Sequence, residues 1–181
     1  VLSIGEILAV GRALSATCGV SEYRNADHTA ETILDEYFKR LAPNKYLEEK
    51  IARCIENEET VSDMASEKLY DIRRRMKIEN SRIRESLQKF ITGGTYSKFL
   101  QEQIVTMRDG RYVIPVKQEY KNEIKGLVHD TSASGATLFV EPLSVVESNN
   151  ELRLLERKEA DEIERILSEL SADIANAGGA I

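Results

Sequence analysis

The chain has no tryptophan, and aromatic residues fill only 6% of its 181 positions. So small a stock of large flat side chains suits elongated helices better than a thick globular core. No apolar run approaches the roughly 20 residues that span a bilayer, and no basic-then-apolar leader opens the chain. Membrane partners are therefore not expected. Cysteine is nearly missing: Cys18 and Cys54 stand alone in amphipathic stretches and read as small buried hydrophobes of a reducing, cytoplasmic setting. Two histidines 101 positions apart and two lone cysteines offer no metal-ligand spacing. Neither G-x-x-x-x-G-K-[ST] nor G-x-S-x-G occurs, which excludes a Walker phosphate loop and a nucleophile elbow. There is no internal repeat and no low-complexity segment. The chain does not start with Met and ends without a finishing signal, so it reads as a piece of a longer protein.

What is present is charge, unevenly spread. The net charge is −6, which taken alone disfavours a nucleic-acid binder. Residues 21–68 carry 7 basic and 12 acidic side chains, and residues 147–181 carry 4 and 9. Residues 69–98 reverse the balance with 8 basic and 3 acidic. Arg73, Arg74, Arg75, Lys77, Arg82, Arg84 and Lys89 crowd one helix, either as a solvated face paired with an acidic helix or as a secondary phosphate-binding face.

The helical pattern can be followed in order. Ser3 and Glu6 form a capping box that opens a helix to about Thr17. A second helix is expected from Thr29 to Leu41, with Ile33, Leu34, Tyr37, Phe38 and Leu41 inward and Pro43 as its stop. Asn44 caps a third, Lys45–Ile55, with Tyr46, Leu47, Ile51 and Ile55 inward. After a turn at Glu56–Thr60, Ser62 or Asp63 caps a long helix to about Ile91, which Gly93-Gly94 ends. Another long helix starts at Leu143 or Ser144 and runs to about Ala177. Folding the two long helices back antiparallel pairs Leu69 with Leu170 and Leu87 with Leu152, and sets Asn80 against Glu159 as a polar layer.

Between them lies an island of strand-like sequence, Ile104–Pro142. Ile104–Met107 and Arg111–Val116 flank Asp109-Gly110, a strong hairpin signal because the tight primed turn needs positive φ. Gly126–Asp130 and Ala136–Val140 flank a small polar turn, and Lys117–Lys125 crosses between the hairpins. His129 and Asp130 stand near Ser132 and Ser134. Adjacent strand residues point to opposite faces, so His129 and Asp130 cannot serve as base and orienter. The expected fold is mainly α. A helical base (1–61) leads into an outgoing helix (62–98), a four-stranded antiparallel sheet (99–142) and a returning helix (143–181), with the sheet inserted at the tip of the helical hairpin.

The runs RDGRYVIPVKQEY and GLVHDTSASGATLFVEP, followed by NNEL and a charged helix, resemble the MutS proteins, specifically the second bacterial branch, MutS2. CIENEETVSDMASEKLYDIRRRM agrees with the helical run before them, and the first fifty residues match more loosely. The resemblance names the parts core, lever and clamp. It implies a parent that is a dimeric ATPase using ATP and Mg, with a C-terminal nuclease domain and no mismatch-reading domain. Such a protein clamps branched or duplex DNA in suppressing recombination, or engages stalled ribosomes; a purely structural arm is the third possibility. This region itself would carry no cofactor and no catalysis. Phosphate contacts would fall to Arg111, Lys117, Lys121 and Lys125 with the hydroxyl turn Thr131, Ser132 and Ser134, and secondarily to Arg73, Arg74, Lys77 and Arg84. Charge is balanced over 104–142, so any contact there is local.

Overall fold

A computed structural model describes residues 1–26 and 32–178. Thr29, where the second helix is expected to open, lies outside the described residues, as do His28 and Gly179. The fold is mainly helical with one small antiparallel sheet. The chain divides into two compact units: a helical unit, Val1–Asp71 with Glu159–Ile181, and a sheet unit, Ile72–Lys158.

In the helical unit, α1 (Ile4–Ala26) opens on the expected capping box. The Ser3 N–H donates to Glu6 Oε2 at 2.8 Å, and the Glu6 N–H to Ser3 Oγ at 3.3 Å. The helix runs well past Thr17: Gly19 weakens it, but no Pro stands between Thr17 and Ala26 to stop it. Its buried Ile7, Leu14 and Cys18 belong to the inner face. The helix α3 (Lys45–Cys54) is capped by Asn44, whose side chain accepts from the Leu47 N–H at 3.0 Å. It buries Leu47, Ile51 and Cys54. A Cβ on Gly11 would stand 2.7 Å from Ile51 Cγ2, so glycine sets the close approach of α1 and α3. Both cysteines are free and buried, as their isolation implies. Ile7, Ile51, Val61, Leu69, Ile166 and Leu170 share this unit's core.

Inward assignments in two of the expected helices are corrected here. Among the described residues the second helix shrinks to α2, Asp35–Phe38, with Ile33, Leu34 and Tyr37 at 89%, 52% and 67% exposure. Tyr46 is likewise exposed. An apolar side chain in phase with a helix is buried only where another element covers it, and spacing cannot supply that element.

The sheet unit holds most of α4 (Glu67–Thr92) and the start of α5 (Val146–Gly178). Between them come β1 (Thr106–Arg108), β2 (Arg111–Lys117), β3 (Gly126–Thr131) and β4 (Thr137–Pro142), ordered β1-β2-β4-β3 and antiparallel throughout. Asp109 and Gly110 both take positive φ, 51° and 72°, as the primed turn requires. The Arg153 guanidinium donates to the Asp109 carbonyl and secures that turn. Ile83, Leu87, Ile114, Val116, Leu138 and Val140 form the core, closed by Leu152.

The helix register differs from the sequence alignment of stripes. Leu69 and Leu170 do share one core and Leu87 and Leu152 the other, yet the polar contacts put other residues level. In the helical unit Glu162 accepts from Ser66 Oγ at 2.9 Å and forms an ion pair with Lys68 Nζ at 2.8 Å. In the sheet unit Arg75 reaches Glu151 at 2.5 Å, and the Ser86 and Ser144 hydroxyls lie 3.1 Å apart. These partners' numbers add to 226–230 where the alignment of stripes requires 238–239. The slip is about 10 residues, or roughly 15 Å at 1.5 Å per residue. Asn80 takes the Tyr112 hydroxyl and the Met76 carbonyl as its partners. The cause is that Asn149 and Glu162, each 1% exposed, occupy core positions that an apolar pattern skips.

Candidate nucleic-acid interface

The residues assigned to phosphate contact from sequence separate into two groups. Arg111 is held inside. Its Nη1 donates to Glu141 Oε1 at 2.8 Å and its Nη2 to Asn150 Oδ1 at 2.5 Å, and Glu141 is fully buried. Glu141 also accepts from Asn149 Nδ2 at 2.8 Å and lies 2.5 Å from His129 Nε2. Asn149 completes the knot by bonding both backbone groups of Tyr112 at 3.2 Å. A carboxylate removed from water needs several such partners at once.

His129 reaches Glu141 because it is the extra residue of a bulge, where Val128 pairs with Val140 and Asp130 with Phe139. Asp130 turns to Arg108 at 3.1 Å, and the Arg108 guanidinium sits 3.7 Å over the Phe139 ring. His129 and Asp130 thus serve different partners, in line with their adjacency in a strand. Sequence reasoning missed the Glu141 centre. Its traces were an acid inside the apolar run LFVEP and a paired Asn opening a helix.

The hydroxyl turn is mostly spent on itself. Ser132 Oγ accepts from the Thr137 N–H at 3.1 Å, and Ser134 Oγ from the Ala136 N–H at 3.4 Å. The Ser132 N–H donates to the Thr137 carbonyl at 2.9 Å and the Gly135 N–H to Ser132 at 2.8 Å. Thr131 is exposed, with its N–H on Asp130.

The second group is the lysines. Among the described residues Lys117, Lys121 and Lys125 have no carboxylate partner, and Lys121 and Lys125 are exposed. Lys117 Nζ donates to the Lys98 carbonyl at 3.2 Å and lies 5.9 Å from the Tyr120 ring. On α4, Arg75 and Arg82 are in ion pairs with Glu151 and Glu79; Arg73, Arg74 and Lys77 also have partners. Arg84 and Lys89 are exposed and have no carboxylate partner among the described residues.

The two units differ sharply in charge. The sheet unit contains 16 Lys and Arg against 11 Asp and Glu, net +5; the helical unit has 9 against 20, net −11. In the helical unit, Lys50 bonds Asp173 at 2.7 Å and Glu169 at 2.6 Å, which raises its pKa. The Arg165 guanidinium, with Lys68 and Ser66, holds the Glu162 carboxyl down to about 2. No group of three or more His, Cys, Asp or Glu that could hold a metal occurs among the described residues. Nor, among them, is any helix long and apolar enough to cross a membrane.

No protein-family model matches the chain. It is 47% identical over 175 residues to a Ruminiclostridium cellulolyticum protein named Endonuclease MutS2, a match covering 96% of this chain and 22% of that protein. A protein of the same name from Caldanaerobacter subterraneus subsp. tengcongensis is 52% identical over 149 residues, covering 82% of this chain and 19% of its own length. The Pelotomaculum thermopropionicum protein is 44% identical over all 181 residues, 23% of its length. The chain thus spans about a fifth of the curated relatives it matches.

Proposed function

This chain belongs to the MutS2 family, and we propose that it is the part of a MutS2 protein that grips nucleic acid by its phosphates, with branched or recombination-intermediate DNA as the ligand. The observation that carries this reading is the net +5 sheet unit with exposed lysines at Lys121 and Lys125 and Lys117 beside them, inside a chain of net charge −6. Cations without carboxylate partners are the ones that can exchange small counterions for phosphates.

The region itself binds and does not turn substrate over. The endonuclease activity in the relatives' name, and the use of ATP and Mg, belong in this reading to other parts of a dimeric, cytoplasmic parent. Replacing Lys117, Lys121 and Lys125 together by Ala is expected to weaken binding of four-way junction and linear duplex alike. It should flatten the plot of log K against log salt by up to about 2.7, at about 0.9 per lost contact. An unchanged slope moves the contact to Arg84 and Lys89. Ribosomes that compete fully with the junction identify ribosomal RNA or protein as the ligand in place of DNA.

A further inference from the structure

We propose that the recess beside Tyr96 in the sheet unit takes one unpaired nucleobase of a single-stranded segment, with neighbouring lysines on its flanking phosphates. This deepens the nucleic-acid reading above and rests on it. The chain has only 7 Tyr and 4 Phe, yet four of them form one row. The Phe90 and Tyr96 rings are 5.0 Å apart, Tyr96 and Phe99 6.4 Å, Phe99 and Tyr120 5.0 Å. Phe99 is 9% exposed and anchors the row in the core, whereas Tyr96 stays 39% exposed.

Beside Tyr96 lies a recess of about 250 Å³ lined by Ser86, Lys89, Phe90, Tyr96 and Ser144. It offers three kinds of contact. The rings supply a stacking surface. The Ser86 and Ser144 hydroxyls share one bond at 3.1 Å, which leaves one O–H donor and spare lone pairs for a base edge. Lys89 lines the recess itself, and Lys98 and Lys117 stand further along the row, Lys98 Nζ 5.0 Å from the Phe99 ring and Lys117 Nζ 5.9 Å from the Tyr120 ring, where flanking phosphates would run. None of the three has a carboxylate partner among the described residues.

Aromatic rings interleaved with cations are how proteins hold single strands without reading sequence. A base inside a duplex is already stacked and cannot enter, so an unpaired nucleotide at a branch or gap is the ligand that fits. An apolar peptide would use the rings but leave the three ammonium groups uncompensated. Charge therefore favours the nucleotide.

The test uses the 181-residue chain and a 12-mer of thymidine, whose bases stack weakly, with one central 2-aminopurine, beside a fully abasic 12-mer of equal charge and a linear duplex. Stacking predicts quenching of the 2-aminopurine on binding and clearly weaker binding of the abasic strand. Neither readout needs a variant. Tyr96→Ala should weaken the base-bearing strand by roughly 5- to 150-fold, the equivalent of one base–aromatic stack, and leave the abasic strand unchanged. Tyr96→Phe should restore binding. Equal affinity for abasic and base-bearing strands, or no quenching, overturns the proposal. If duplex binding survives that outcome, the phosphate-gripping reading stands; if neither strand nor duplex binds, both fall.

Discussion

At the scale of single residues, the buried carboxylates decide most. Glu162 is 1% exposed and its charge is matched by Arg165 at 2.8 Å, Lys68 at 2.8 Å and the Ser66 hydroxyl. With its pKa lowered to about 2, against an ordinary value of 4.5, the folded state favours the carboxylate. That stabilisation is complete above about pH 4.5 and is lost as pH falls through about 2. Glu162→Gln is expected to lower stability near neutral pH by about 1.5–3 kcal/mol, the range for bonds to a charged group. Urea titrations from pH 7 down to pH 2 should show the two proteins converging at the acid end. A gap that persists at pH 2 would mean that packing, not charge, is what the substitution removes. Glu141, also fully buried, is held by hydrogen bonds from Arg111 and Asn149 and by its contact with His129. Arg111 therefore acts first on folding, and any phosphate contact by it would have to break a buried pair.

At the scale of elements, the hairpin at Asp109-Gly110 was legible in the sequence and its support was not. Positive φ at both positions follows from the residue pair, but the bond from Arg153 joins residues 44 apart and leaves no local trace. Gly110→Ala should cost about 1–2 kcal/mol for a side chain in the left-handed region. It should cost more than that if Arg153 cannot yield, since the new Cβ would lie 2.8 Å from its Nη1. Comparing Gly110→Ala with and without Arg153→Ala separates the two causes. If the two costs simply add, the guanidinium gives way freely. The same divide runs through the other elements. Caps at Ser3 and Asn44, the stop at Gly93-Gly94 and all four strands follow from local chemistry. The Ser62 cap went to a single turn at Asp63–Ala65, while the Ser66 hydroxyl accepts from the Leu69 N–H as α4 begins. The helix register stayed hidden because it is fixed by polar residues at core positions, and hydrophobic stripes cannot report them. The lysines of the candidate interface were readable as charge; the aromatic row beside them, drawn from residues 90 to 120, was not.

For the whole molecule the question is how an acidic chain binds an anion. Net charge −6 hides a sheet unit at +5 and a helical unit at −11. At physiological salt the Debye length is about 8 Å, so phosphates respond to the cations within reach and hardly to the total. The salt dependence then counts those cations. Three lysines, Lys117, Lys121 and Lys125, give a duplex slope near −2.7 at about 0.9 per phosphate. Adding Arg84, Lys89 and Lys98 doubles the count and carries the slope to about −5.4. Titrating one labelled duplex between 50 and 200 mM salt is expected to give a value between these limits. A value near the lower limit confines the grip to the loop after β2. A value near the upper limit extends it along the end of α4 to the Tyr96 recess. A slope near zero would show that cations of the sheet unit hold no phosphates at all. The triple lysine variant must fall by the same increment from whichever slope is found, because each cation contributes through its own phosphate. A larger fall would mean that Lys117, through the Lys98 carbonyl, also positions the 97–99 turn.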